Sequence, residues 1–208
     1  MPDCRAILVL PLPGPSDEIL RRNALLPWSP TALTSPSCPH TQADGRCRTF
    51  DARANGYARA EALSAVVLRH TAAPAPTGLS LATIVVRHDG RSASLTAPNG
   101  SAQRMTLSAA WEALPDLASF SAEAHGTATA LGDPTEVGAL AASRGVNAST
   151  LPLSISSHKA NAGHAEGPSG LMGLLSARSR LEQQAIYGNA QLRGLNPVVA
   201  QSLKSQLA

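Results

Sequence analysis

Aromatic side chains are nearly missing from this 208-residue chain: two Trp, two Tyr and two Phe make up 3% of it. With 43% hydrophobic residues, its core must be built from Ala, Leu and Val, whose small volumes favour close packing of helix on sheet. The length suffices for one sizeable core. Cysteine is equally scarce. Cys4, Cys38 and Cys47 form an odd set without framework spacing, which excludes a disulfide scaffold and fits a reducing compartment. Cys38, His40 and Cys47 make a poor metal set, because three donors in a proline-rich loop without a paired Cys-x-x-Cys fall short of a closed tetrahedral site.

Charge of one sign is also thin. The net charge is +3 and no basic run is longer than Arg21-Arg22, so nucleic acid is not an expected partner. No apolar run reaches the roughly 20 residues of a membrane span. The stretch from Met1 to Leu12 lacks the basic start and long apolar centre of a signal peptide. A soluble, cytoplasmic protein is therefore expected; a plastid precursor without its N-terminus would read the same.

Residues 11–45 are rich in proline, which fixes φ and removes backbone donors, leaving room for a short helix around Ser16–Leu25. From Phe50 the character changes. Ala62–Arg69 and Leu81–Arg87 are apolar, β-branched runs that read as buried strands joined by a hairpin or a longer antiparallel connection. Asn99 can cap a helix from Gly100 to about Ala113. Phe120–Ala124 and Leu153–Ser157 are further strands. Asp133 before Pro134 reads as the N-cap of a helix reaching about Ser143 and ending at Gly145, with Glu136 in its first turn. A last helix is expected from Ala165 to about Gln184. Its Gly167, Gly170 and Gly173 would each cost about 1 kcal/mol in a helix interior, so this helix should be buried where another backbone comes close.

Strand, loop, helix then repeat, which argues for a layered α/β domain. His125 stands in the first of these loops, after a strand and before a helix, and His164 holds the equivalent place in the second, with Lys159 beside it. In α/β sheets the carboxyl ends of strands share a rim where ligands bind. Two imidazoles and a lysine on that rim suit the steadying of negative charge.

The segments around these histidines are similar to the β-ketoacyl synthase family of type I polyketide and fatty acid synthases. Asp44-Gly45-Arg46-Cys47-Arg48-Thr49-Phe50-Asp51, continuing to Glu61, resembles the family's DGRCKTFD…DGYVRGEG segment. Asp89 to Ser92 with Leu95 to Gly100 resembles DGRS…LTAPNG. Glu123 to Thr129, then Gly132, Asp133, Pro134 and Glu136, resembles EAHGTGT..GDP.E. Lys159 to His164 resembles KSNIGH, and Leu195-Asn196-Pro197 a later LNP. The likeness covers roughly residues 20–203.

The resemblance implies a thiolase-like, layered α/β/α fold, represented mainly by its C-terminal half and incomplete at both ends. On this reading 1–45 is a proline-rich segment that partly closes the N-terminal half, and 46–208 is the C-terminal half. The implied reaction is decarboxylative Claisen condensation in polyketide or fatty acid synthesis. The chain itself would bind no cofactor, since the substrates ride on the phosphopantetheine of an acyl carrier protein. The resemblance makes His125 and His164 the donors to the enolate, Lys159 the lysine that orders the site, and Thr127 and Thr129 the hydroxyls that hold the pantetheine arm.

The family's nucleophile lies in a TACSS-type turn, and no such turn occurs here. Cys38 is flanked by Pro36 and Pro39, which oppose the strand and helix a nucleophile elbow needs, and neither Cys4 nor Cys47 corresponds to it. Two expectations follow: a condensing-enzyme segment that works beside a cysteine-bearing half, or an inactive remnant that binds a carrier protein or dimerises. Either way a homodimer contact or the missing half should cover its apolar faces. Alanine also replaces family glycines at Ala60, Ala62 and Ala128, and a family serine at Ala160. Alanine is comfortable only at negative φ, so Ala128 is expected to disturb the thiol-arm pocket.

Overall fold

The computed structural model describes residues 4–9, 41–42, 44–68, 79–90, 97–112, 120–143 and 153–204. The part that positions the histidines is a β-α-β unit. Strand β3 (Phe120–Glu123) runs parallel to β4 (Leu153–Ser156), with Phe120 opposite Leu153 and Glu123 opposite Ser156. A parallel pair needs a crossover, and helix α2 (Gly132–Ser143) lies between the two strands in sequence. Phe50, Ala124 and Val137 gather into a core with Val199 of the C-terminal helix α5 (Pro197–Lys204), and Ile155 and Leu203 pack on it. Much of the remaining buried apolar surface is alanine, including Ala102, Ala110, Ala122, Ala139 and Ala141, which is how a chain so poor in aromatics brings its backbones together.

Helix α1 (Gly100–Glu112) starts as its sequence predicts: Asn99 Oδ1 accepts the Ala102 N–H at 3.1 Å. It packs along α2, and Trp111 Nε1 donates to Ser143 Oγ at 2.9 Å, giving the indole its polar partner.

Four expectations are corrected. Residues 61–68 carry no strand, and Leu63 and Val67 are 98% and 93% exposed. The run has strand-forming side chains, but a strand exists only against a partner, and among the described residues none pairs with it. The expected hairpin is also absent: β2 (Leu79–Val85) pairs in parallel with β1 (Cys4–Val9), with a register shift between Ala6 and Ile7. Asp133 does not cap its own helix. Thr129 Oγ1 accepts the Gly132 N–H at 3.1 Å at that end, while the Asp133 carboxylate turns inward to other segments. The glycine helix begins late, as α4 (Ser169–Gln183), because Lys159–Ala162 forms a separate short turn, α3, and Gly163 and Glu166 then take φ of 80° and 56°. Gly167 thus lies in open space before the helix, and a Cβ on Gly173 would meet Glu123 Cγ at 3.3 Å, a side chain rather than a backbone. The helix expected at 16–25, Cys38, His40 and Gly145 lie outside the described residues.

Candidate active site

The His125 loop is built almost entirely from backbone groups held by buried side chains. Glu136, in α2, accepts the N–H groups of His125 and Gly126 at 2.5 and 2.9 Å. Asp133 accepts those of Phe50 and Ala128 at 2.8 and 3.0 Å. Thr49, fully buried, donates its hydroxyl to the Gly126 carbonyl at 2.7 Å. Glu136 is pushed up by burial, its two backbone donors opposing this, and burial likewise raises Asp133 to about 7. Ala128 adopts φ 56° in spite of its Cβ and is fully buried. The strain anticipated from the missing glycine is therefore real, and it is held from both sides, by the Asp133 carboxylate and by the Gly56 N–H, which donates to the Ala128 carbonyl at 2.7 Å.

The His164 loop is fixed by a bridge to the segment that follows Cys47. The His164 N–H donates to the Ala58 carbonyl at 2.8 Å, and the Ala60 N–H donates to the His164 carbonyl at 3.0 Å. A Cβ on Gly163 would lie 3.0 Å from Ala60 Cβ and 3.1 Å from the Ala58 oxygen, so this crossing is tight.

These two loops bring His125 and His164 together, ring centroids 5.6 Å apart and planes perpendicular. Tyr57 also packs on His164, ring centroids 4.8 Å apart. The Glu166 N–H donates to His164 Nδ1 at 3.1 Å, so in the neutral ring the proton sits on Nε2. His164 is held down to about 3, by burial first and then by the charge of Lys159. His125 is held down to about 4 for the same two reasons in the same order. His125 is nonetheless exposed to solvent in this chain. Lys159 is only 3% exposed; burial lowers it, opposed by Glu136 and Glu123. The Thr127 and Thr129 hydroxyl oxygens approach to 3.5 Å, and Thr129 Oγ1 also accepts the Gly132 N–H. All five residues singled out in the sequence thus stand in one pair of interlocked loops.

Cys47 is buried, with Sγ accepting the Ala58 N–H at 3.0 Å, and burial pushes its thiol up, away from the thiolate a nucleophile needs. Sequence reasoning did not single out Glu123, His158 and Arg180 as a group. They meet behind the loops: Glu123 Oε1 accepts from His158 Nδ1 at 2.9 Å and Glu123 Oε2 from Arg180 Nη2 at 2.6 Å. The helix carries two arginines, Arg178 and Arg180, and only the fold tells the exposed one from the buried one.

A depressed histidine has a definite linkage sign. Unfolded, an imidazole binds its proton below about 6.5; folded, His164 resists until about 3. Its presence costs nothing above the upper value, and stability is lost as pH falls between the two. The stability difference between wild type and His164→Gln should therefore shift against the wild type as pH drops from neutral toward 4. Urea titrations at stepped pH measure it; a pH-independent difference would show that the ring protonates freely.

The chain belongs to the β-ketoacyl synthase family. The family's profile described as Beta-ketoacyl synthase, C-terminal domain matches residues 80–193, and the N-terminal domain profile matches residues 23–73. The chain is 38% identical over 165 residues to the highly reducing polyketide synthase otaA of Aspergillus carbonarius, covering 76% of this chain and 6% of that protein. It is 36% identical over 206 residues to the partially reducing polyketide synthase men1 of Menisporopsis theobromae, covering 94% of this chain and 7% of that protein. Among solved structures, the oxazolomycin ketosynthase domain OzmH KS7 of Streptomyces albus superposes with a TM-score of 0.67 at 31% identity, over 78% of this chain and 29% of that one. The ketosynthase of module 6 of the Bacillus subtilis bacillaene synthase shares the fold, with a TM-score of 0.62 at 19% identity, over 87% of this chain and 36% of that one. The chain thus spans a small part of the curated synthases it matches. The chain shares the α/β, thiolase-like architecture of these ketosynthase structures. No helix among the described residues is long and apolar enough to cross a membrane.

Proposed function

We propose that the chain supplies the charge-stabilising half of a ketosynthase site, for decarboxylative Claisen condensation in polyketide assembly, and that it acts beside a cysteine-bearing ketosynthase half. The observation that carries this reading is the pair of imidazole rings 5.6 Å apart, with the buried Lys159 in the same pair of loops. Loss of carbon dioxide from a malonyl thioester leaves an enolate whose charge gathers on the thioester oxygen. Neutral N–H donors fixed at that oxygen stabilise the transition state more than the ground state, and being fixed they need no reorganisation. His164 can donate from Nε2 because its Nδ1 is already an acceptor. Lys159 favours anionic charge nearby and adds to the burial that keeps both rings neutral at pH 7. Thr127 and Thr129 offer hydroxyls to the pantetheine arm of an acyl carrier protein, the partner this chemistry requires. Cys47 is not the acyl acceptor in this reading, since its thiol is sequestered.

The exposed Leu63 and Val67 favour a second reading, a non-catalytic module that binds a carrier protein or dimerises. Carbon dioxide release from a malonyl-carrier protein separates the two. It should appear when the chain is mixed with a cysteine-bearing ketosynthase N-terminal half, and His164→Ala should lower it about 100-fold. No release from the chain alone or from the mixture sinks the catalytic reading.

A further inference from the structure

Glu123, His158 and Arg180 take no part in the chemistry above, yet their side chains are only 9%, 9% and 8% exposed. One carboxylate is shared among three segments. Glu123 ends β3, two residues before His125. Its Oε1 accepts both the His158 ring at 2.9 Å and the His158 backbone N–H at 2.6 Å, and His158 directly precedes Lys159. Its Oε2 accepts Arg180 Nη2 at 2.6 Å from α4, the helix that follows the His164 loop. Arg180 Nη1 also donates to Ser156 Oγ at the end of β4. Gly173 completes the seat: a Cβ there would press on Glu123 Cγ at 3.3 Å, so α4 lies directly against the carboxylate.

Stability alone does not account for such a cluster. Burying an arginine and a carboxylate carries a desolvation penalty that well-packed apolar residues avoid, whereas directional hydrogen bonds fix a register that apolar contacts leave loose. Here the register concerns the ends of the two strands that feed the histidine loops. We propose that Glu123, gripped by His158 and Arg180, is a positioning residue that sets the separation of the His125 loop from the Lys159–His164 loop. Its purpose rests on the ketosynthase reading; its geometry does not.

The test uses the full chain. Imidazole NMR reports the ring-to-ring contact of His125 and His164, and urea melting reports the fold. In Arg180→Gln the ring contact should be lost while melting stays cooperative, and Arg180→Lys, which still offers a cation to Glu123, should restore it. Should Arg180→Gln fail to melt cooperatively, His158→Leu, which leaves the Glu123–Arg180 pair intact, decides alone: a weakened contact in a folded chain supports the clamp. An unchanged contact in whichever of these variants folds overturns it. With the cysteine-bearing half present, Arg180→Gln should lower decarboxylation kcat by about tenfold, a misplacement effect, leave KM nearly unchanged, and be rescued by lysine. If the wild type releases no carbon dioxide, the ketosynthase reading fails and the ring contact still decides the clamp.

Discussion

Replacing Asp133 with alanine is expected to remove about 5 kcal/mol of stability, a loss comparable to the whole margin of many domains. Asp133 is 1% exposed, and its two oxygens accept the N–H groups of Phe50 and Ala128 at 2.8 and 3.0 Å. Each donor left buried without a partner costs about 1–3 kcal/mol. Both donors also belong to non-glycine residues at positive φ, 63° for Phe50 and 56° for Ala128. Such conformations cost of order 1–3 kcal/mol each and persist only where the surroundings over-determine them. Asp133 supplies much of that determination, so its loss leaves the strain in place while removing what opposes it. Phe50 is a core residue packed with Val137 and Val199, and Ala128 lies between Thr127 and Thr129, so core and candidate site should loosen together. Asp133→Asn keeps one acceptor but turns an NH₂ toward the other N–H, and about half the loss is expected. Urea unfolding of the three chains measures this. An alanine variant within about 1 kcal/mol of wild type would mean that the two left-handed residues are held by something else.

What the sequence made legible follows the range of the interaction. The β3 and β4 strands, the Asn99 cap and the two histidine loops are written in contiguous residues, because turn chemistry and apolar periodicity act over a few positions. The run at 62–69 has the same composition as a strand and is not one over its described part, since pairing is a property of two segments and composition of one. The parallel β1–β2 pair escaped a local reading for the same reason: neighbours in sequence suggested a hairpin, and the partner lay seventy-odd residues away. Glu123, His158 and Arg180 each look like ordinary charges until β3, β4 and α4 bring them within hydrogen-bonding distance. Ala128 is the intermediate case. Its place in a motif where glycine is usual marked a backbone problem, but only the fold revealed that a carboxylate five residues on had been turned inward to hold it.

The histidine pair depends on one contact that admits no side chain. Gly126→Ala is expected to cost about 4 kcal/mol, from about 1–2 for a left-handed non-glycine residue and about 1–3 for overpacking. Gly126 has φ 48°, and a Cβ there would lie 2.6 Å from Ser157 Cβ, 2.7 Å from Thr49 Cγ2 and 2.8 Å from Ser157 Oγ. None of these is the far end of a flexible chain; each atom sits within two bonds of its own Cα. The loops can accommodate the methyl only by moving apart. Ser157 directly precedes His158 and Lys159, and its N–H is tied to Asn189 Oδ1 at 2.9 Å, so the resulting shift should pass to the His125–His164 spacing. Steric and conformational costs can be separated. Adding Ser157→Gly removes two of the three clashing atoms and leaves φ and the Thr49 contact untouched, so the double variant should recover part of the overpacking share of about 1–3 kcal/mol, and no more. Urea unfolding of the single and double variants closes the cycle. If Ser157→Gly recovers nothing, the cost of Gly126→Ala lies in its backbone and in Thr49, and the two loops are not in the close contact on which the histidine pair is built.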